Sequence, residues 1–204
     1  MRECSTYGFG AQDQVLLIAG LGNPGEQYIN TRHNAGFMIL EHLSGIFSIS
    51  MNRHRYESLY GHGFAADRKV VFVKPMSFMN NSGQPILCIA RRYKIPCPDI
   101  IIIHDDIDLP IGTIKIKVKG GHGGHNGLKS IAEALQCDRF VRVRIGIGRG
   151  APGRNVTDHV LGNFDSEEMT VMDQIIPTAC NAIRMILNKG INEAMNKFNQ
   201  KCCI

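Results

Sequence analysis

The sequence lacks the features that mark secreted, membrane-spanning and zinc-binding proteins. No apolar run approaches the roughly 20 residues that a membrane-spanning helix needs. Residues 1–14 contain no apolar stretch that could serve as a secretory signal, and they do not resemble a transit peptide. The seven cysteines include no C-x-x-C pair and no spacing typical of a zinc site, so we expect reduced thiols. These absences favour the cytoplasm, with the mitochondrial matrix as the alternative compartment.

The sequence also lacks the motifs of covalent catalysis. There is no G-x-S-x-G turn to expose a nucleophilic serine, and no cysteine lies in a turn suited to a nucleophile. The 204 residues, 44% hydrophobic and 20% charged, have the composition of an ordinary globular chain, long enough for one well-buried domain and short for two. The net charge of +5 favours an anionic partner, but it also fits an indifferent basic surface.

Hydrophobic patterns predict an α/β fold. Residues 15–19 and 100–103 are apolar on both faces, which is typical of strands that are buried on both sides of a parallel sheet. Residues 35–47 place apolar side chains at helical spacing, with Thr31 or Asn34 as the candidate N-cap. Further strands are predicted at residues 56–65, 69–73, 113–119 and 140–148. Further helices are predicted to end at about residue 93 and to span residues 128–135, and two more helices are predicted after residue 166. We therefore predict a single α/β domain with a mixed, mainly parallel β-sheet flanked by helices.

A glycine-rich turn follows the first predicted strand. Residues 20–25 fit G-x-G-x-x-G, the dinucleotide-binding fingerprint, which needs a helix that starts inside the turn and an acidic residue after the next strand. Neither condition is met, because residues 26–34 are polar without helical periodicity and Glu41 falls inside the predicted helix. Nucleotide-cofactor binding is therefore the weaker interpretation of this turn.

Polar side chains follow three of the predicted strands. Asn23, Asn80 and Asp105 each lie just beyond the carboxyl end of a strand, where open α/β sheets build their sites. His33 and Asn126 lie in loops that open helices. A histidine can take a proton from water, a carboxylate can orient its ring, and amide groups can hold an attacked carbonyl. The set predicts hydrolysis of an activated acyl group such as an ester, although each asparagine alone would fit a turn or a helix cap.

A metal site is the competing interpretation of the segment after the isoleucine-rich strand. Three acidic residues lie within positions 105–108, a density that can bind Mg²⁺, and His104, His122 and His125 are nearby in sequence. On an extended segment, however, Asp105 and Asp106 point to opposite sides, and no phosphate-binding motif accompanies them. We therefore expect no metal.

Four blocks of sequence together resemble one known family. The blocks are YINTRHNAGF at 28–37, KPMSFMNNSG at 74–83, HDDIDLPIG at 104–112 and GHGGHNGLK at 121–129, and their order and spacing are those of the bacterial-type peptidyl-tRNA hydrolase family. With RIGIGR at 144–149 and HVLG at 159–162, the likeness runs from about residue 15 to the C-terminus. Ser77 stands where many members carry threonine, a minor departure. Residues 1–14 match nothing, so the hydrolase-like domain is expected to span 15–204.

The resemblance implies hydrolysis of the ester that joins a peptide to the 3′ ribose of tRNA, without a metal or an organic cofactor. It implies that His33 is the general base and that Asp105 orients it. The implied partner is peptidyl-tRNA, through its acceptor end and its peptide, with no membrane and no obligate protein partner. The implied substrate-binding residues are Asn23, Tyr28, Met79, Asn80, His125 and Asn126, and the implied ligands of tRNA phosphates are Lys115, Lys117 and Arg144.

Two alternatives of another kind stay open. The chain could be an RNA-binding descendant of the same fold that has lost catalysis, as in plastid splicing factors that resemble this family, although retention of His33, Asp105 and the three asparagines favours the enzyme. Lys115 and Lys117 could equally belong to an ordinary edge strand, which lysines protect from mispairing.

Overall fold

The computed structural model describes residues 14–150, 153 and 155–200. Its strands are β1 (Leu16–Gly20), β2 (Arg53–Arg55), β3 (Ser58–Ala65), β4 (Arg68–Pro75), β5 (Ile100–Asp106), β6 (Ile114–Lys117) and β7 (Val141–Gly146). Its α-helices are α1 (Ala35–Phe47), α2 (Gly83–Arg92), α3 (Asn126–Leu135), α4 (Val156–Val160), α5 (Ser166–Lys189) and α6 (Ile191–Phe198). Residues 1–13, nearly all of the segment that the sequence sets apart, lie outside the described residues.

The strands of the described residues form one sheet, in the order β2-β3-β4-β1-β5-β7-β6. The central strands β4, β1, β5 and β7 pair in parallel. The parallel pairing follows from the connections, because a helix intervenes each time the chain returns to the centre of the sheet. The remaining strands pair antiparallel at the edges. The predicted α/β fold with a mixed, mainly parallel sheet is confirmed.

Two hydrophobic clusters cover the two faces of the sheet. In β1, Leu16 and Ile18 belong to the cluster that includes α1 and α5, whereas Leu17 and Ala19 belong to the cluster that includes α2 and α3. Every residue of β1 is buried, as its uninterrupted apolar run predicts. Because alternate side chains are covered on both sides, this strand forms the middle of the molecule. None of the described helices is both long enough and apolar enough to cross a membrane.

The start of α1 lies against the ends of two central strands. The N–H of Leu21 donates to the carbonyl of Ile103 (2.9 Å), and the carbonyl of Leu21 accepts the N–H of Phe37 (3.1 Å). Gly36 is required at this contact, because a Cβ atom on it would lie 2.4 Å from the oxygen of Ile103. α1 therefore begins directly beside the carboxyl ends of β1 and β5, and the residues just before it reach the end of β5.

Three local features differ from the sequence prediction. The pattern gives no sign of β2, because its three residues are polar and exposed and only backbone pairing with β3 forms it. β3 begins at Ser58 rather than at 56, since Tyr56 and Glu57 form a turn with φ values of 52° and 49°. The five-residue α4 is likewise too short to leave a periodic pattern.

The expectation of reduced thiols is wrong for one pair of cysteines. Cys97 and Cys137 are joined by a disulfide, with Cα atoms 6.6 Å apart. They are separated by 40 residues and meet because the turn before β5 lies beside the end of α3, a contact that no sequence spacing reports. Of the remaining cysteines in the described ranges, Cys88 and Cys180 are free.

Candidate active site

A cleft of about 840 Å³ opens at the carboxyl ends of the central strands. The glycine-rich loop before α3 and the residues of α4 complete its walls. Of the site residues expected from the sequence, those that line the cleft are Asn23, Tyr28, His33, Met79, Asn80, Asp105, Lys117, His125, Asn126 and Arg144. The structure thus brings together segments that are far apart in the chain, and it leaves Lys115 outside the cleft lining.

His33 and Asp105 form a hydrogen-bonded pair in the buried part of the cleft. Nδ1 of His33 lies 2.9 Å from each carboxylate oxygen of Asp105, so Nδ1 carries the proton and donates it. Burial alone would lower the pKa of His33, but the charge of Asp105 and the hydrogen bond to it outweigh burial, and the pKa is raised above its usual value. Nε2 has no partner in the described part of the chain and is free to act on a bound molecule.

A second histidine binds the same carboxylate. Nε2 of His125 lies 3.0 Å from Oδ1 of Asp105, while Nδ1 accepts the N–H groups of Gly127 (3.1 Å) and Leu128 (3.4 Å) at the start of α3. These amides fix the tautomer of His125, because a nitrogen that accepts a hydrogen bond carries no proton. Burial opposes ionisation of Asp105, but the charges and hydrogen bonds of the two histidines hold its pKa well below the usual range. We call His33, Asp105 and His125 the reaction centre.

His104 lies against the reaction centre as a neutral ring. Its centroid is 4.9 Å from that of His125, with the two planes at 82°. Burial, aided by the nearby His125, lowers the pKa of His104 to about 3. Its Nδ1 lies 2.6 Å from the carbonyl oxygen of Asp105, so the neutral ring donates from Nδ1. His104 therefore packs beside His125 without adding a charge next to Asp105.

Asn23 joins three segments of the cleft. Its backbone N–H donates to Oδ1 of Asn34 (2.7 Å), and its backbone carbonyl accepts from Nδ2 of Asn34 (3.0 Å). Its side-chain oxygen accepts the N–H of Met79 (2.8 Å). Asn34 is the N-cap residue of α1, as one of the two predicted candidates, but its side chain forms no capping hydrogen bond because its amide binds Asn23 instead. The NH₂ group of Asn23 has no partner among the described residues and remains available in the cleft.

Two further amide side chains and an apolar rim face the same space. Asn80 lies in the 3-10 turn Met79–Asn81 and Asn126 is the first residue of α3, and both are exposed at the cleft. Tyr28 and Phe78 contact each other edge to face, with centroids 6.5 Å apart, and Phe78 is 56% exposed. Phe78 is not among the predicted site residues, although it lies inside one of the four blocks. Amide donors beside exposed rings suit a ligand with both carbonyl groups and apolar side chains.

One wall of the cleft is positively charged; we call Lys117, Arg142 and Arg144 the basic wall. Nε of Arg144 donates to Oδ2 of Asp106 (2.6 Å), whereas the side chain of Lys117 is exposed. Arg142 is absent from the predicted site residues. It is 3% exposed, and its Nε and Nη1 groups have no partner within the described residues. An anionic ligand in the cleft would meet this wall.

Lys115 differs from the other residues expected to bind phosphate. Its ammonium group donates to the backbone carbonyl of Asn199, just after α6. The next residue, Ile116, exchanges two backbone hydrogen bonds with the Asn199 side chain, at 2.7 and 3.0 Å. The outer edge of β6 is therefore covered by the end of α6, and Lys115 takes part in this contact.

β5 extends to Asp106, beyond the predicted end at residue 103, and the acidic residues at and after its carboxyl end do not converge on one point. Asp106 pairs with Arg144 and Asp108 with Arg149, while Asp105 lies among the histidines. Within the described residues, His33, Asp105 and His125 have candidate ligand atoms all within 4.8 Å of one another. The hydrogen bonds from His33 and His125 to Asp105 explain why these atoms lie so close together.

The turn that carries His33 is attached to the C-terminal part of the chain. Nε of Arg32 donates to Oε1 of Glu168 (3.2 Å), and Nη1 donates to the carbonyl of His159 (3.3 Å). The backbone N–H of Arg32 donates to the carbonyl of Gly162 (3.1 Å). Arg32 and Glu168 are 136 residues apart, so the sequence gives no signal of this pair.

Comparison with known proteins identifies the family. A family model described as Peptidyl-tRNA hydrolase matches residues 17–203. The peptidyl-tRNA hydrolase of Clostridium botulinum is 46% identical over 185 residues, which cover 91% of this chain and 96% of that protein. The one of Bacillus subtilis is 43% identical over 187 residues, which cover 92% and 100%. The crystal structure of peptidyl-tRNA hydrolase from Acinetobacter baumannii matches with a TM-score of 0.88 at 36% identity, over 95% of this chain and 99% of that chain. As its four sequence blocks imply, the chain belongs to the peptidyl-tRNA hydrolase family.

Proposed function

We propose that the chain hydrolyses the ester bond between a peptide and the 3′ ribose of tRNA, which releases the peptide and frees the tRNA for reuse in translation. The observation that carries this proposal is the hydrogen-bonded pair of His33 and Asp105, with Nε2 of the histidine free in the cleft. Membership of the family supports the choice of substrate. The reaction belongs to the compartment where translation takes place, the cytoplasm or the mitochondrial matrix.

His33 acts as the general base of the reaction. Its Nε2 takes a proton from a water molecule, and the oxygen of that water attacks the carbonyl carbon of the ester. Asp105 holds Nδ1, so that Nε2 faces the water, and stabilises the imidazolium that forms. The proton then passes to the 3′ oxygen of the ribose as the ester C–O bond breaks. His125 donates to Oδ1 of the same carboxylate and keeps Asp105 in place while the charge on His33 changes.

Amide groups position the peptide and its reacting carbonyl. The free NH₂ of Asn23 and the exposed side chains of Asn80 and Asn126 donate to the attacked carbonyl and to the peptide backbone. Neutral donors stabilise the developing oxyanion without adding a charge that would need a counterion. Tyr28 and Met79 give apolar contact to the peptide, and the ring of His125 lies in the same wall.

The basic wall binds the acceptor end of the tRNA. Lys117 is exposed and meets phosphate directly, whereas Arg144 is shared with Asp106 and binds phosphate less tightly. Arg142 adds a buried charge behind them. Lys115, whose ammonium group is bound to Asn199, contributes through its long-range charge rather than through contact.

Turnover of peptidyl-tRNA by the purified protein tests the proposal. We expect His33→Ala to lower kcat by about 10²–10⁴-fold, the usual contribution of a general base, while tRNA affinity is retained. His42→Ala is the matched control, because His42 is an exposed histidine on α1 outside the cleft. Equal turnover in wild type and His33→Ala would exclude His33 as the base. Tight tRNA binding by the wild type without turnover would instead identify an RNA-binding member that has lost catalysis.

A further inference from the structure

The β2 edge of the sheet carries basic side chains that do not line the cleft. Arg53, His54 and Arg55 make up β2 and are all exposed. Among the described strands, β2 pairs with β3 alone, so its other side is an open sheet edge. Charge on such an edge guards against pairing with another chain. That explanation does not account for the aromatic side chains found with these charges.

We call the basic and aromatic side chains of β2, the turn after it, β3 and the end of α2 the β2-edge patch: Arg53, Arg55, Tyr56, His62, Arg92 and Tyr93. Two arginines of the patch lie over aromatic rings. Cζ of Arg55 is 4.9 Å from the ring centre of Tyr56, and Cζ of Arg92 is 5.9 Å from that of Tyr93. The patch thus joins the β2–β3 hairpin to the end of α2.

A chain of contacts joins Arg53 and the rings of His62 and Tyr93 to the core. Nη1 of Arg53 lies 3.4 Å from Nε2 of His62. The ring of His62 is 6.1 Å from that of Tyr93, which is in turn 6.5 Å from the ring of Tyr60. Tyr60 is buried and anchors the surface rings to the core. Arg53 and Arg92 therefore contact rings that are supported from the core, whereas Arg55 lies over Tyr56.

The positive charges of the patch are not neutralised within the described part of the molecule. Arg53, Arg55 and Arg92 form no ion pair with a carboxylate of the described residues, whereas Arg144 in the basic wall is paired with Asp106. Free guanidinium groups attract phosphates, and flat aromatic rings stack on nucleic-acid bases. An acidic protein surface would pair with the arginines of the patch but would offer no flat base to stack on its tyrosine rings.

We propose that the β2-edge patch binds RNA, with its arginines on phosphates and with Tyr56 and Tyr93 against bases. The proposal rests on the proposed function, since the substrate already brings RNA to the protein. The patch also connects with the cleft, because the carbonyl of Glu57 in the β2–β3 turn accepts the N–H of Met76, in the segment that leads to Met79 (2.7 Å). The bound RNA is either a further part of the same tRNA or a separate strand.

The test compares two triple variants that lose the same charge. Arg53→Gln/Arg55→Gln/Arg92→Gln removes the patch, and Arg184→Gln/Lys189→Gln/Lys197→Gln removes three exposed charges of α5 and α6. The probes are deacylated tRNA and a short unstructured oligouridylate, with Kd measured over a range of salt concentrations. We expect the patch variant to flatten the slope of log Kd against log salt by about two ions with the single strand and by up to about three ions with tRNA, the values for three phosphate contacts, and the control variant to leave the slope unchanged.

The two probes separate the two sources of RNA. A flatter slope with tRNA means that the patch holds part of the substrate. A flatter slope with oligouridylate, measured in the presence of saturating tRNA, means that it holds a separate strand. Slopes equal to those of the control variant for both probes would overturn the proposal.

Two further measurements keep the result interpretable. Oligouridylate containing 4-thiouridine should crosslink to the wild-type peptides that contain Tyr56 or Tyr93, and crosslinks confined to other peptides would overturn the proposal without any variant. Turnover of a peptide esterified to a single 3′ nucleotide should be equal in both triple variants and the wild type. If the wild type fails to cleave that ester, the proposed function fails, while the binding and crosslinking results still decide whether the patch holds RNA.

Discussion

The reaction centre and the basic wall line the same cleft, but they differ in how far their charged groups are buried and hydrogen-bonded. Asp105 is 1% exposed and is bound by two histidines, so its charge is fully engaged inside the protein. Lys117 is exposed and lines the cleft. A buried, oriented group acts on the rate of the chemical step, whereas an exposed cation acts on binding that depends on salt. The difference implies that variants of the two regions should affect different kinetic constants.

Substitution of Asp105 in the buried reaction centre should have the largest effect on kcat, and Asp105→Asn tests this. The substitution keeps the shape of the side chain but removes its charge, and an amide NH₂ group no longer holds the proton of His33 on Nδ1. By analogy with the same change in a serine-protease triad, we expect kcat to fall by about 10⁴-fold. Steady-state kinetics with a parallel tRNA-binding measurement checks this. A loss of tRNA affinity as large as the loss of kcat would contradict the division between the two regions.

The pH profile should show which group of the reaction centre titrates. Only the neutral imidazole of His33 accepts a proton, so turnover should rise with pH through the pKa of His33 and fall about tenfold per pH unit below it. We expect the midpoint above the usual value of about 6.5, because Asp105 raises the pKa of His33. Asp105 itself stays ionised over this range, since its pKa lies well below its usual value. A midpoint of kcat/KM below the usual histidine value would mean that burial outweighs the charge of Asp105.

Removal of the second histidine should have a smaller effect of the same kind. In His125→Ala the carboxylate loses one of its two donors, which leaves more of its charge to His33. We expect kcat to fall about tenfold, the equivalent of one hydrogen bond, and the acid limb of the pH profile to move to higher pH. His125→Gln, whose amide can still donate to Asp105, should restore the position of the limb. A limb that stays in place in His125→Ala would confine this histidine to substrate contact or to capping α3.

Two lysines of β6 allow a direct comparison between a cation that is exposed at the cleft and one that is bound within the protein. Lys117 is exposed at the cleft, and Lys115 is bound to the carbonyl of Asn199. We expect Lys117→Gln to flatten the salt dependence of tRNA binding by about one ion without a change in thermal stability. Lys115→Gln should lower the melting temperature slightly and leave the slope nearly unchanged. Equal slopes for the two variants would show that both lysines contact phosphate, as the sequence resemblance implies.

The parts of the fold that depend on local pattern could be predicted from the sequence. β1 is an apolar run, β5 begins with four isoleucines, and α1 has clear helical periodicity, so the positions of these elements follow from residue order alone. Once β1 and β5 are parallel neighbours, the residues at and just after their carboxyl ends must lie at one edge of the sheet. This rule places Asn23 and Asp105 on the same side before any coordinates are known.

The parts that depend on tertiary contact could not be predicted in this way. Asn34 has the sequence position of a helix cap, but its amide binds Asn23 because the start of α1 lies against the end of β1. Arg142 appears as one more polar residue of an alternating strand, and only the packed structure shows that it is buried. The Cys97–Cys137 bond likewise depends on the contact between two distant segments.

The ion pair between Arg32 and Glu168 has a consequence for control of the enzyme from a distance. Arg32 directly precedes the proposed base, and Glu168 belongs to the first turn of a helix that lies outside the cleft. A molecule bound between that helix and the Arg32–Asn34 turn would separate the ion pair and displace the imidazole of His33, without occupying the substrate-binding cleft. Inhibition at this position would therefore be non-competitive with peptidyl-tRNA.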